Sequence, residues 1–551
     1  MIRKIKRRNH RNALRKPAAL LTGYVLAGLL LPTALAQDWP RWGGNDPGRD
    51  MYSPAKNLPD HFVSGINGKI DFDDATGKAD LKNVPNVKWI ARLGSQAFGN
   101  VVVSGGKVFI GTNNEHPRDP QHQGDRSILL CLDEKTGDFL WQLVVPKLAS
   151  GKVNDWENLG LLASPCVEGN RVYVVTSRCE VVCLDTQGMA NGNDGPFMDE
   201  AQYVVGPGKP KAVLGPKDAD IIWRYDMMDE LGVFPHNASN CSVLVIGDLV
   251  YVCTSNGQDW THSDIPSPNA PSFIALNKKT GELAGEDDAQ IGPHIFHGEW
   301  SSPSTGVVNG RQLVFLGGAN GFCYAFAAKP VKEGDTDYLK TVWKYDCNPP
   351  ERWGNDPAHK YPGAEGPSEI NATPVFYKNR IYVAVGQDPE HGEGVGNLTC
   401  IDATQTGDVT KTAKIWSYDK IHRSLSTVSI DPNTGLLFAG DFSGIVHCLD
   451  AETGQLYWTH DLKAHMWGST LVADGKVYLG DEDGDFVVMA ASKEKKVISV
   501  TNLGAAIYST PIVANGVIFV HTQEHLFSFY DALKEGPRGD QPANMDINLN
   551  K

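Results

Sequence analysis

The chain has 551 residues, of which 41% are hydrophobic and 21% charged, a composition that excludes a disordered or collagen-like polymer. Its 57 glycines and 33 prolines, set among many Val, Tyr and Trp residues, point to short strands joined by tight turns. The formal net charge of −14 repels phosphate backbones, so no nucleic-acid partner is expected.

Residues 1–36 read as an export signal. Eight basic residues from Arg3 to Lys16 precede an apolar run from Ala18 to Leu31, and Ala34-Leu35-Ala36 has the small-x-small form of a cleavage site. The run is shorter than the roughly 20 residues that span a bilayer, which favours a cleaved signal over an anchor. No cysteine stands at the cleavage point, so a lipid anchor there is not expected. The segment holds eight of the 51 basic residues and none of the 65 acidic ones, so the remainder has 43 against 65, a net −22. No later stretch reads as transmembrane, and the expected location is periplasmic or secreted.

Residues 37–86 read as an N-terminal arm, 87–532 as a repeat domain and 533–551 as a polar tail. The repeat runs from a small polar residue through an apolar strand, an Asn/Asp-Gly turn, an aromatic-rich strand and an apolar strand ending in Asp, then Thr-Gly and a strand carrying Trp. Ser426 to His460 is its clearest copy. Eight copies begin near Phe98, Ser164, Ser242, Ser302, Thr373, Ser426, Ser469 and Thr510. Four strands every 40-odd residues predict an all-β, eight-bladed β-propeller. The last copy lacks its Trp-bearing strand, and Val87 to Leu93 has one to spare, so an N-terminal strand carrying Trp89 is expected to complete the last blade and hide its edge. Trp89, Trp141, Trp223, Trp343, Trp416 and Trp458 share the outer-strand position and read as inter-blade packing. Cys131, Cys183, Cys323, Cys400 and Cys448 share a third-strand position, which reads as buried thiols, with Cys179–Cys183 and Cys166–Cys241 as the pairs left open.

The segments from Cys131 to Leu143, "CLDEKTGDFLWQL", and from Cys448 to His460, "CLDAETGQLYWTH", resemble the pyrroloquinoline-quinone-type propeller repeat. The arm "DWPRWGGNDPGRDMYSP", Asp38 to Pro54, resembles the opening of quinoprotein dehydrogenases and their exported relatives. The family holds both dehydrogenases and outer-membrane assembly scaffolds that bind no quinone, so the fold alone does not choose between enzyme and scaffold. For the dehydrogenase branch the resemblance implies pyrroloquinoline quinone with a calcium or lanthanide ion. The chain lacks the adjacent cysteine pair typical of that branch, and no cofactor is expected on the leading reading.

Candidate site residues lie in the loops leading into first strands and in the long second-to-third-strand loops, because both sets open on one face of a propeller. The cofactor-binding candidates are Glu299, Trp300, Glu369, Asn371, Asp388 and Trp467. Glu299, Glu369 and Asn371 offer the hard oxygen donors that calcium or a lanthanide takes. A separate metal site drawn from His116, Asp259, Glu390 or His391 has no ligand spacing to support it. The leading expectation is a non-catalytic envelope scaffold with a cell-envelope protein or glycan as partner, and the alternative is a quinone-dependent alcohol or sugar oxidoreductase.

Overall fold

The structure, a computed structural model, describes residues 37–62, 81, 86–353, 366–386 and 394–531. Eight antiparallel sheets follow one another along the chain, each built on an inner four-strand order. Their first strands are Val102–Ser104, Cys166–Glu168, Leu244–Ile246, Ser304–Val308, Val375–Tyr377, Ser429–Ile430, Leu471–Ala473 and Ile512–Ala514, which number blades 1 to 8. The chain is thus an eight-bladed β-propeller. Blades 3, 4 and 7 carry added strands: Val331–Glu333 and Thr336–Leu339, Gly407–Asp408, and Tyr52–Ser53 from the arm.

Blade 1 shows why the repeat folds this way. Gly105 and Gly106, at φ 59° and 77°, make the hairpin between Val102–Ser104 and Lys107–Asn113. The third strand, Arg126–Asp133, ends where one Asp133 carboxylate oxygen accepts the N–H groups of Lys135 and Thr136, both at 2.9 Å. This Asx-type turn explains the Asp-x-x-Thr-Gly signature. Gly137 then turns at φ 70°, and a Cβ there would lie 2.7 Å from the ring of Trp89. Gly281 and Gly454 stand in the same way against Trp223 and Trp416.

The ring closes as the sequence predicts. Val87–Arg92 pairs antiparallel with His525–Phe529 as the outer strand of blade 8. The Trp89 indole donates to the Glu134 carbonyl of blade 1 at 2.9 Å. Trp141, Trp223, Trp343, Trp416 and Trp458 donate likewise to Thr186, Lys278, Ala403, Ala451 and Ser492 of the following blades. A second seam runs through residues two positions before the first strands. The N–H of Asn100 donates to the Ser164 hydroxyl, Ser164 to Ser242, and Ser242 to Ser302. Thr373 donates to Thr427, Thr427 to Ser469, Ser469 to Thr510, and Thr510 to the carboxamide oxygen of Asn100. This explains the small polar residue at the head of each repeat, with Asn100 and Thr427 in place of Phe98 and Ser426.

The arm reaches across the whole ring. Backbone bonds tie Gln37 to Asn515, Trp39 to Val103, Pro40 to Val167, Pro47 to Thr305, Gly48 to Phe376 and Met51 to Val472. Arg49 is fully buried and donates to the carbonyls of Ser242, Val243 and Pro303. Asp50 accepts the N–H of Ile430. Every blade is touched: seven within or just after the first strand, while Arg49 reaches the carbonyls just before the first strands of blades 3 and 4.

One expectation is corrected. Ala325, not Cys323, stands opposite Trp343, because the third strand of blade 4 is shifted by two residues and Cys323 faces Tyr345. Trp353 packs on Phe296 at 5.9 Å, beside a cavity of about 670 Å³. All ten cysteines are buried free thiols. Residues 1–36 and the tail, 533–551, lie outside the described residues.

Candidate functional site: the channel mouth

Four residues before each first strand, one side chain from every blade lines a common cavity of about 480 Å³. In ring order these are Phe98, Leu162, Asn240, Trp300, Asn371, Leu425, Trp467 and Tyr508. The repeat's own symmetry brings equivalent positions onto the axis, so residues more than 400 apart in sequence meet. Trp156, Leu159, Asn237 and Ala238 complete the lining. None of these lining residues is charged.

The ring has two unlike sides. Leu425, Trp467, Tyr508, Phe98 and Leu162 form an apolar arc, within which Phe98 and Tyr508 stack at 5.4 Å and Tyr508 and Trp467 meet at 5.0 Å. Asn240, Trp300 and Asn371 face it. Four buried polar atoms of the lining make no hydrogen bond among the described residues: Oδ1 of Asn237, Asn240 and Asn371, and Nε1 of Trp467. Behind the lining, Arg423 lies over the Phe442 ring at 4.5 Å, and Phe442 stacks on His465 at 4.4 Å.

Trp300, Asn371 and Trp467 therefore come together on the lining, while Glu299 and Glu369 are buried and do not reach it. Both Glu299 oxygens accept the N–H of Ala319, at 3.0 and 3.2 Å. Burial, with Asp287 and Glu369 nearby, pushes its carboxyl well above the usual carboxylate range. Asp388 lies outside the described residues, as do Glu390 and His391. As a holder for a quinone-bound hard cation the described set does not fit. The lining offers the carboxamide oxygens of Asn237, Asn240 and Asn371 and no carboxylate, where calcium takes 6–8 oxygen ligands. Among the described residues, a quinone bearing three carboxylates also meets no cationic side chain on the lining.

Among the separate metal candidates, Asp259 caps its own turn by accepting from Thr261 and Ser263. His116 lines a small cleft beside Arg118. Three other histidines do converge: Nε2 of His262 lies 3.1 Å from Nε2 of His236 and 2.9 Å from Nε2 of His297. No sequence signal points to this trio, because their separations in the chain match no ligand motif.

The eight-bladed ring, its closing strand and its Trp-to-next-blade seam define the class: a repeat β-propeller with a funnel on one face. The family model described as outer membrane protein assembly factor BamB matches residues 70–192, 408–499 and 443–536. The match covers under half of the chain and is consistent with a propeller of pyrroloquinoline-quinone-type repeats. BamB from Moraxella catarrhalis superposes with a TM-score of 0.51 at 15% identity, covering 81% of this chain and 100% of that one. A europium-containing methanol dehydrogenase superposes with a TM-score of 0.55 at 12% identity, covering 88% and 90%. At such identities the likeness is one of fold. No curated protein matches the chain by sequence.

Proposed function

We propose that the chain is an exported, non-catalytic binding scaffold of the cell envelope, periplasmic or secreted, which takes an envelope protein or glycan at the channel mouth. The observation that carries this reading is the eight-residue ring: uncharged, half aromatic and apolar, and edged with unsatisfied polar atoms. A buried polar group without a partner costs about 1–3 kcal/mol, so a partner supplying hydroxyls or peptide groups recovers that cost on docking. The rings of Trp467, Tyr508 and Phe98 supply rigid, amphipathic contact area of the kind that anchors recognition. The fold's likeness to BamB is consistent with a protein partner. No helix among the described residues is long and apolar enough to cross a membrane.

The alternative is a pyrroloquinoline-quinone-dependent alcohol or sugar oxidoreductase, with calcium or a lanthanide, in which Trp300, Asn371 and Trp467 of the candidate set face the cofactor. Its support is the dehydrogenase fold likeness and the aromatic mouth.

A photo-cross-linking amino acid at Leu425, on the mouth, tests the leading reading in the intact cell against the same group at Lys56, on the arm. The scaffold reading expects a discrete adduct from position 425 and none from position 56. Adducts from neither position, or equally from both, would sink the mouth as the docking site.

A further inference from the structure

We propose that His236, His262 and His297 form a site for one divalent transition metal of the imidazole-preferring kind, zinc first among them. The site is distinct from the calcium or lanthanide site that a quinone would need, and it does not depend on which partner the mouth takes.

The loops are built to bring these rings together. The segment Asn256–Gln258 runs between the two leading loops: Asn256 bridges Pro235, and Gly257 bridges Gly298. A Cβ on Gly257 would lie 2.5 Å from the His236 Cβ and 2.7 Å from the His297 carbonyl, so only glycine lets the two histidine-bearing loops approach this closely. His236 and His297 are fully buried, with ring centroids 4.2 Å apart. The long loop of blade 3 then folds back at His262, φ 56°, and lays its ring 4.8 and 4.7 Å from the other two.

Proton arithmetic makes the cluster a ligand set. Nδ1 of His236 lies 2.8 Å from the Gln258 carbonyl, which can only accept, so Nδ1 carries the proton and Nε2 of the neutral ring is a lone pair. This is the outer-sphere bond that orients metal-binding histidines. Nε2 of His262 stands within hydrogen-bond distance of both neighbouring Nε2 atoms, so one ligand nitrogen from each ring converges on a common point. A cation at the meeting point satisfies all three lone pairs at once. Two nitrogens bound to a tetrahedral zinc at about 2.0–2.1 Å stand about 3.3 Å apart. The two separations here are a few tenths of an ångström shorter, a gap that small ring rotations close.

Three neutral nitrogens, with no thiolate or carboxylate among them, select zinc, copper, nickel or cobalt over calcium and magnesium. Three protein ligands also leave a fourth position for water or an anion. Trp300, on the mouth ring, packs edge-on to His297 at 5.0 Å. The metal therefore pins the leading loops of blades 3 and 4 behind the Asn240–Trp300–Asn371 side of the mouth.

The test is a titration of the metal-stripped chain, residues 37–551, with zinc and with calcium, read by elemental analysis after gel filtration. Cobalt substitution gives a second readout through the intensity of its d–d bands. The expected result is one zinc per chain, no retained calcium, and cobalt bands of tetrahedral strength. His262→Ala should weaken zinc binding by about 100-fold or more. That variant touches a partly exposed loop, and its metal-free melting midpoint should match the parent's. No retained zinc, or zinc retained equally by His262→Ala, would overturn the proposal. In the second case Asp119, His122 and Asp218, the other cluster with ligand geometry, becomes the holder.

Discussion

Glu299 carries a buried carboxyl one residue from the mouth ring, and its protonation separates the two functional readings. Burial pushes it well above the usual carboxylate range. The native chain then keeps a proton that the unfolded chain releases above about pH 4.5, so this residue's contribution to stability falls as pH rises from there. Glu299→Gln keeps a neutral, isosteric group. The urea midpoint of the parent should drop relative to this variant between about pH 4.5 and 7, at up to about 1.4 kcal/mol per pH unit. Parallel profiles would contradict a neutral Glu299. A cation bound there would reverse the sign, because it stabilises the carboxylate. No sequence pattern marks this carboxyl as buried and protonated, since its environment comes from Ala319, Asp287 and Glu369, all outside its own loop.

At the scale of the repeat, chain order and contact pattern agree closely, for a physical reason. Each blade is a meander of neighbouring strands, so turn chemistry and alternation specify it locally. The outer-strand Trp and the carbonyl after the turn's Asp are the two halves of one bond between blades, and the small polar residue is half of another. Ser469 shows the cost of losing one such half. Ser469→Ala removes the acceptor of the buried Thr427 N–H and should cost about 1–3 kcal/mol in urea denaturation. An effect below a few tenths of a kcal/mol would mean that the seam contributes nothing. Insertions escaped this reading. The strands Val331–Glu333 and Thr336–Leu339 extend blade 3 from the connection inside blade 4, a non-local pairing that no periodicity announces.

At the scale of the whole molecule, the arm from Gln37 to Ser53 is bonded to every blade, while the leading loops gather eight equivalent residues around one mouth. The propeller count was legible because repeats are written in sequence. The funnel was legible in outline, since Trp300, Asn371 and Trp467 fall on the lining. The histidine trio was not, because it forms where a long loop folds back across two blades.

The account stands on the mouth being an uncharged docking site rather than a quinone pocket. The most direct test is calorimetric titration of the metal-stripped chain, residues 37–551, with pyrroloquinoline quinone in excess calcium and again with a lanthanide. The account predicts no saturable heat and an unchanged quinone spectrum with either ion. One-to-one binding at micromolar affinity or tighter would contradict it and make the oxidoreductase the better reading.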